Sequence, residues 1–393
     1  VSGMFLPLLI LSLVAGCIEV DISVPGFPDM AAYFNVSESI IQLTVAYNFL
    51  GFCLAAVFYG PLSDKYGRRK LMIFGNGLLL LGAGACVIAP TIDLLLLARF
   101  IQGLGASASA VVVSAIIADV YKGPKMIKAL TTMNSALTIL MAMAPVAGGF
   151  INKAVGWWGN YTLVAMICAI SWIMVIFFLH ETKYEKSDAG FKKIWDDYKR
   201  LFSSSHFLAH AMVPTLLYTC YITFVTCASF LYIETFGLSI IVYALHQAAV
   251  VASFTGMNLF SNKIIQKIGK SGSIWGGMIL CIVSIITLVA LSVIAPHSPY
   301  MITGFMMIYG VGFALTYPTV FADSLEIFPD VKGTAASVIM SLRTLACAGF
   351  IGLASFFFNG EPLPVFLVLL SAISFAALCC GIILQADRRV KMS

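Results

Sequence analysis

Two carboxylates six and four residues ahead of a proline are the side chains here whose types and spacing could do chemistry. They stand in Glu19-Val-Asp21-Ile-Ser-Val-Pro25-Gly-Phe-Pro28, inside an otherwise apolar stretch. Pro25 has no backbone N–H, so in an α-helix the carbonyl four residues back, that of Asp21 itself, loses its donor. An ionisable side chain and a freed carbonyl then share one place on one face. A charge in apolar surroundings is costly and persists where it is used, which makes Asp21 the first candidate to bind and release a proton. The plainer alternative is that Asp21 only caps or hydrates the outer end of its helix. Glu19 lies two residues earlier, roughly 200° around the helix, so the two carboxylates face different ways. Arg99 and Arg343 are the basic counterparts inside apolar runs. Each should face a cavity or a partner. Facing inward, Arg343 would give the second half a positive pole opposite the acidic first helix and could hold an anionic group.

The elements that position these residues must be membrane helices. Of 393 residues, 60% are hydrophobic and 10% charged, against roughly 45–50% and about 25% in a soluble domain. Apolar runs of about 20 residues, enough to span a bilayer, recur from Met4 to Gln385. Divided at charged or Gly/Pro-rich punctuation, they predict twelve spans at 4–28, 40–61, 71–90, 94–118, 127–151, 160–180, 208–233, 241–261, 273–295, 299–321, 335–357 and 363–385. The first run is too long and too acidic for a cleaved leader, and the Val-Ser-Gly start predicts a missing native beginning.

Charge placement tests that count. With twelve spans, nearly all 23 basic residues fall in alternate loops: Lys65 to Lys70, Lys122 to Lys128, Lys183 to Arg200, Lys263 to Lys270, Lys332, and Arg388 to Lys391. Lys153 alone lies on the other side. By the positive-inside rule both termini are cytoplasmic, and an inner-membrane location is expected. The polar stretch 181–207, with an amphipathic surface helix from Phe191 to Phe202, divides a six-helix bundle at 1–180 from a second at 208–393. Gln102-Gly-Leu-Gly105 is echoed by Tyr309-Gly-Val-Gly312, and Ala118-Asp119 with Lys128 by Ala322-Asp323 with Lys332. The halves therefore read as parallel repeats with a solute site between them.

The loop after the second span, Gly60-Pro-Leu-Ser-Asp64-Lys-Tyr-Gly67-Arg68-Arg69-Lys70, resembles the signature loop of the major facilitator superfamily. Gly60 suits close helix approach, Gly67 a tight turn, and Asp64 a hydrogen bond to a helix N-terminus. The resemblance implies that this N-terminus belongs to the eleventh helix and that Arg68 pairs with Asp119, forming a conformational latch. The equivalent loop, Gln266 to Lys270, lacks the acidic residue and predicts a weaker latch. Arg99-Phe-Ile-Gln102-Gly103-Leu-Gly105 resembles a superfamily pattern linked to proton coupling, although Arg99 could instead only brace its neighbours. Ala144-Pro145-Val-Ala-Gly148-Gly149 resembles the antiporter signature, with Ala where Gly is usual. Asp21 to Pro28 resembles the Asp-x-x-x-Pro-x-x-Pro pattern of the bicyclomycin-resistance-like branch of drug:proton antiporters.

The expected protein is an all-α major facilitator fold with two six-helix repeats. It is expected to be a monomeric, proton-coupled transporter that exports amphipathic, drug-like molecules by alternating access, with lipid, protons and a small molecule as its partners. Asp21, Glu19 and Arg99 would couple protons. Asp21, Tyr47, Asn48, Asn134, Tyr218, Tyr221, Tyr317 and Arg343 would line the cavity. The alternative is transport of one metabolite, such as an anionic carboxylate or siderophore. A membrane enzyme or receptor is remote, because the sequence shows no nucleophile constellation, nucleotide loop or metal-spaced cluster. No cofactor beyond protons, no metal and no nucleic acid is expected. The ten cysteines, scattered through apolar runs, read as reduced packing residues.

Overall fold

The computed structural model describes residues 5–121, 124–183, 191–294, 298–329 and 331–392. In chain order its helices are α1 (Phe5–Cys17), α2 (Glu19–Ser23), α3 (Phe27–Phe34), α4 (Glu38–Tyr66), α5 (Arg68–Ile88), α6 (Ile92–Val120), α7 (Pro124–Val155), α8 (Trp157–Phe178), α9 (Phe191–Ser203), α10 (Ser205–Ser229), α11 (Ile240–Ile268), α12 (Lys270–Ile294), α13 (Pro299–Glu326), α14 (Lys332–Phe357) and α15 (Pro362–Met392). A 3₁₀ turn, Val24–Gly26, joins α2 to α3, and a π turn, Phe230–Thr235, extends α10. Helix is the outcome an apolar run must take in lipid, where every backbone N–H and C=O needs a partner within its own segment.

Among the described residues ten helices are long and apolar enough to cross a membrane, and α1 with the Glu19–Phe34 segment makes an eleventh, bent by 49°. The remaining expected span, 127–151, falls on the 32-residue α7, whose described stretch Ile139–Val155 is apolar. The first span is longer than the sequence suggested. Pro25 and Pro28 read as its end at residue 28, but the helical path continues to Phe34. Pro25 is taken up in the 3₁₀ turn and Pro28 in the first turn of α3, where a missing N–H costs nothing. Asn35, in the left-handed conformation at φ 52°, closes it.

The chain divides into two compact units, one ending at Trp195 and the other beginning at Asp196, within α9. Residues 184–190 of the expected linker lie outside the described residues. In the first unit α6 packs along both α4 and α5. Gly103 makes this possible, since a side chain there would run into the backbone carbonyl of Asn48, and Gly105 meets the backbone of Leu79 in the same way. In the second unit α13 packs along α11 and α12. Its Gly310 lies against Ser253, and its Gly312 against the Gly277 carbonyl. The two glycine pairs that echo each other in sequence therefore do the same work in each unit.

Gly103→Val should force α4 and α6 apart and lower stability by about 1–3 kcal/mol or more, read as a fall in melting temperature in detergent. Gly304→Val, on α13 with nothing within 4 Å of an added Cβ, should leave it unchanged. Equal melting of the two variants would contradict this account of the packing.

Candidate functional site

The broken first helix carries both candidate carboxylates into the interior of the first unit. The backbone ladder survives the bend, with Ile18 N–H donating to Val14 and Ile22 N–H to Ile18, both at 3.1 Å, and it is interrupted where Pro25 offers no donor. Glu19 and Asp21 are each 2% exposed. Their surroundings differ. Asn48 Nδ2 donates to Glu19 Oε1 at 2.8 Å, and Arg99 Nη1 stands 3.5 Å from Glu19 Oε2. Arg99, fully buried, also donates to Gln102 Oε1 at 2.8 Å, and its guanidinium lies 5.7 Å from the Tyr161 ring centre. Among the described residues Asp21 Oδ1 has no hydrogen-bond partner, and none of the ion pairs involves Asp21. Two residues' separation on a helix sends one carboxylate to a cation and the other away from it.

α7 leans on this same place. Pro145, Gly148 and Gly149 are buried. A Cβ at Gly148 would sit 3.2 Å from the Ile22 Cα and closer still to its carbonyl. Gly148 of the Pro-x-x-Gly-Gly motif thus packs directly on the carbonyl of Ile22, the residue after Asp21. The Asn134 side chain, also on α7, lies outside the described residues.

At the Lys- and Arg-rich end of the first unit, Arg68 gathers the signature loop. Its Nε lies 3.1 Å from Asp119 Oδ2 and its Nη2 2.8 Å from Asp64 Oδ1. Its Nη1 donates to the Ser63 hydroxyl, which itself donates to the Gly60 carbonyl at 2.8 Å. Lys183 Nζ adds a second cation 2.6 Å from Asp64. Gly67 turns the chain at φ 100°, a conformation side chains rarely adopt.

Sequence reasoning missed Glu181. Its carboxylate accepts backbone N–H bonds from Arg68 at 2.9 Å and Arg69 at 3.3 Å, so it caps the start of α5, and from Thr182 and Lys183 at 3.0 and 3.1 Å. Arg69 returns the tie by donating to the carbonyls of Leu179 and Ile176, at 2.7 and 2.8 Å, near the end of α8. An acid just after an apolar run reads as the start of a polar linker, and nothing local says that it caps a helix 113 residues earlier. Also unforeseen is the polar chain Ser12–Ser171–Asn76–Ser109, linked at 2.9, 3.1 and 3.3 Å, which stitches α1, α8, α5 and α6.

In the second unit Asp323 pairs with Lys270, at the loop that lacks an equivalent of Asp64. Arg343 Nη1 donates to Tyr317 Oη at 3.0 Å, and its guanidinium lies 4.5 Å from the Tyr218 ring centre. Gln247 donates to Tyr221 Oη at 3.3 Å. In the first unit Tyr47 is 40% exposed, while its neighbour Asn48 is committed to Glu19.

These positions lie on a chain whose relatives can be stated. The family model described as Major Facilitator Superfamily matches residues 9–351. The chain belongs to the major facilitator superfamily. It is therefore an integral membrane secondary transporter that moves a small molecule, in a family of transporters rather than enzymes. It is 23% identical over 339 residues to multidrug resistance protein D of Escherichia coli (strain K12), covering 86% of this chain and 85% of that protein. It is 27% identical over 340 residues to multidrug resistance protein MdtL of Shigella flexneri serotype 5b, with 86% and 84% covered. It is 25% identical over 361 residues to chloramphenicol resistance protein CraA of Acinetobacter baumannii, with 91% and 86% covered. Among solved structures it resembles a D-xylose-proton symporter, with TM-score 0.76, 15% identity and 95% and 97% of the chains covered. It also resembles a bacterial homologue of the lysosomal transporter Spinster, with TM-score 0.75, 14% identity and 99% and 98% covered. At those identities the two structures speak for the fold.

Glu181→Ala should uncap α5 and release the signature loop, lowering stability by about 1–2 kcal/mol, the range for losing a helix cap. Thermal melting of Glu181→Ala and the wild type in detergent checks this. A Glu181 variant that melts with the wild type would show the cap to be idle.

Proposed function

We propose that this transporter is a proton-coupled antiporter that exports amphipathic, drug-like molecules by alternating access. We place it as a monomer in a bacterial inner membrane with both termini in the cytoplasm, and assign it to the bicyclomycin-resistance-like branch. The observation that carries the reading is the split between the two acids of the first helix. Glu19 has its charge balanced by Arg99 and accepts a hydrogen bond from Asn48, whereas Asp21 is as deeply buried with no cation paired to it among the described residues. A carboxylate so placed is costly to leave charged, so its stable states are protonated or in contact with a ligand. Protonation of Asp21 from outside would release substrate, and deprotonation toward the cytoplasm would restore its binding. The packing of Gly148 beside Ile22 supports this, since the antiporter motif touches the same turn. Export is favoured by three relatives named for drug or chloramphenicol resistance. Transport of a single anionic metabolite is the second reading, favoured by Arg343.

Asp21→Asn keeps the shape and fixes the neutral state. Transport driven by a proton gradient should fall to background in proteoliposomes, while gradient-independent exchange survives. Binding to the wild type should weaken as pH falls and Asp21 takes up its proton, and in the variant that dependence should flatten. Full uphill transport by Asp21→Asn would overturn the assignment and pass the role to Glu19.

Asp64→Asn should loosen the tie to Arg68 and Lys183 and bias the protein toward its cytoplasm-open state. Asp64 is 40% exposed, so screening holds each pair to about 0.5–1 kcal/mol, enough to shift a two-state balance about threefold. Alkylation of cysteines introduced on either side, together with transport rate, reads the shift. Unchanged labelling and unchanged rate would remove Asp64 from the latch.

A further inference from the structure

We propose that Arg343, framed by Tyr218 and Tyr317, seats the anionic group of the transported molecule, and that the substrates are aromatic carboxylates; this rests on the second reading above, transport of an anionic molecule, in which the charge on Asp21 does not hold the substrate. The sequence isolates Arg343. No Asp or Glu occurs in 205–233, 236–322, 333–360 or 362–385, so apart from the helix ends the spans of the second unit hold a single charged side chain. Of the acids near those ends, Asp330 and the Asp387 side chain lie outside the described residues, and the described ones are engaged or distant in sequence. Asp323 pairs with Lys270 and Glu326 with Lys332. Glu234 belongs to the π turn, and Glu361 immediately precedes α15. No ion pair among the described residues includes Arg343, in contrast to Arg99, which has Glu19.

The geometry says what would complete it. Nη1 is taken by Tyr317 Oη at 3.0 Å, and Nε, on the other edge of the guanidinium, has no protein acceptor. The Nε and Nη2 edge is the fork that receives two carboxylate oxygens side by side. The surroundings are aromatic. Tyr317 stacks between Phe313 and Phe321, with ring centres 4.9 and 5.9 Å away, and Tyr218 lies 6.5 Å from Tyr221. A cation whose buried Nε lacks an acceptor, beside a wall of rings, suits a molecule with a carboxylate on an aromatic body once the rings part to admit it. It disfavours quaternary ammonium drugs, which meet like charge.

The test uses the purified full-length chain in detergent at pH 7.5 and calorimetric titration with three probes of one shape: 4-phenylbutyrate, its neutral amide, and 3-phenylpropyl-trimethylammonium. The carboxylate should bind at least about tenfold tighter than the amide, and the cation weakest. Arg343→Gln should erase the preference. Arg343→Lys should retain only part of it, because a point charge does not replace the planar fork. A carboxylate no tighter than its amide, including no binding at all, overturns the proposal on the wild type alone, whether or not a variant folds. So does a preference that survives Arg343→Gln. Proton coupling is read separately, in proteoliposomes with Asp21→Asn. Carboxylate preference without proton-driven transport would sink the antiporter reading and leave the anion seat standing, and the reverse outcome would do the opposite.

Discussion

The ion pair between Glu19 and Arg99 is the interaction on which the first unit's interior depends. A buried arginine in a membrane helix is costly unless its charge is answered, and at Arg99 Glu19, Gln102 and the Tyr161 ring answer it. Removing one member of such a pair leaves the other uncompensated at a cost of about 3–5 kcal/mol. The pair therefore fixes where α2 meets α6, and with Asn48 it fixes α4 as well. Asp21 is placed by default, on the face that this pairing leaves over.

The same economy of charge organises the loop end of the unit. Arg68 holds Asp64 and Asp119, Lys183 shares Asp64, and Glu181 holds the backbone of residues 68 and 69. Two elements far apart in sequence, the signature loop and the segment after α8, become one assembly. Positive φ at Gly67 and the nearness of the Glu181 carboxylate are two demands on a single residue, and only glycine meets both.

Much of this was legible before any coordinates. Apolar run length gave the helices because lipid permits no alternative, and Arg68 and Asp119 meet as the signature loop implies. What escaped was long-range or cooperative. Glu19 and Arg99 are 80 residues apart, and Glu181 and Arg68 are 113 apart. No local pattern carries such pairings. The run Pro25 to Pro28 misled for a different reason. Two prolines read as an ending, yet each sits where a helix can spare the N–H, so the path bends and continues to Phe34.

That bend makes the first crossing two rods joined near Ile18 rather than one. The second rod, Glu19–Phe34, is about 24 Å long at about 1.5 Å per residue. Pivoted by about 10°, it would carry its far tip through about 4 Å while Glu19, beside the pivot, stays against Arg99. The acid at the fulcrum is anchored and the acid one step out rides on the lever, so a small swing would alter the surroundings of Asp21 without breaking the buried pair.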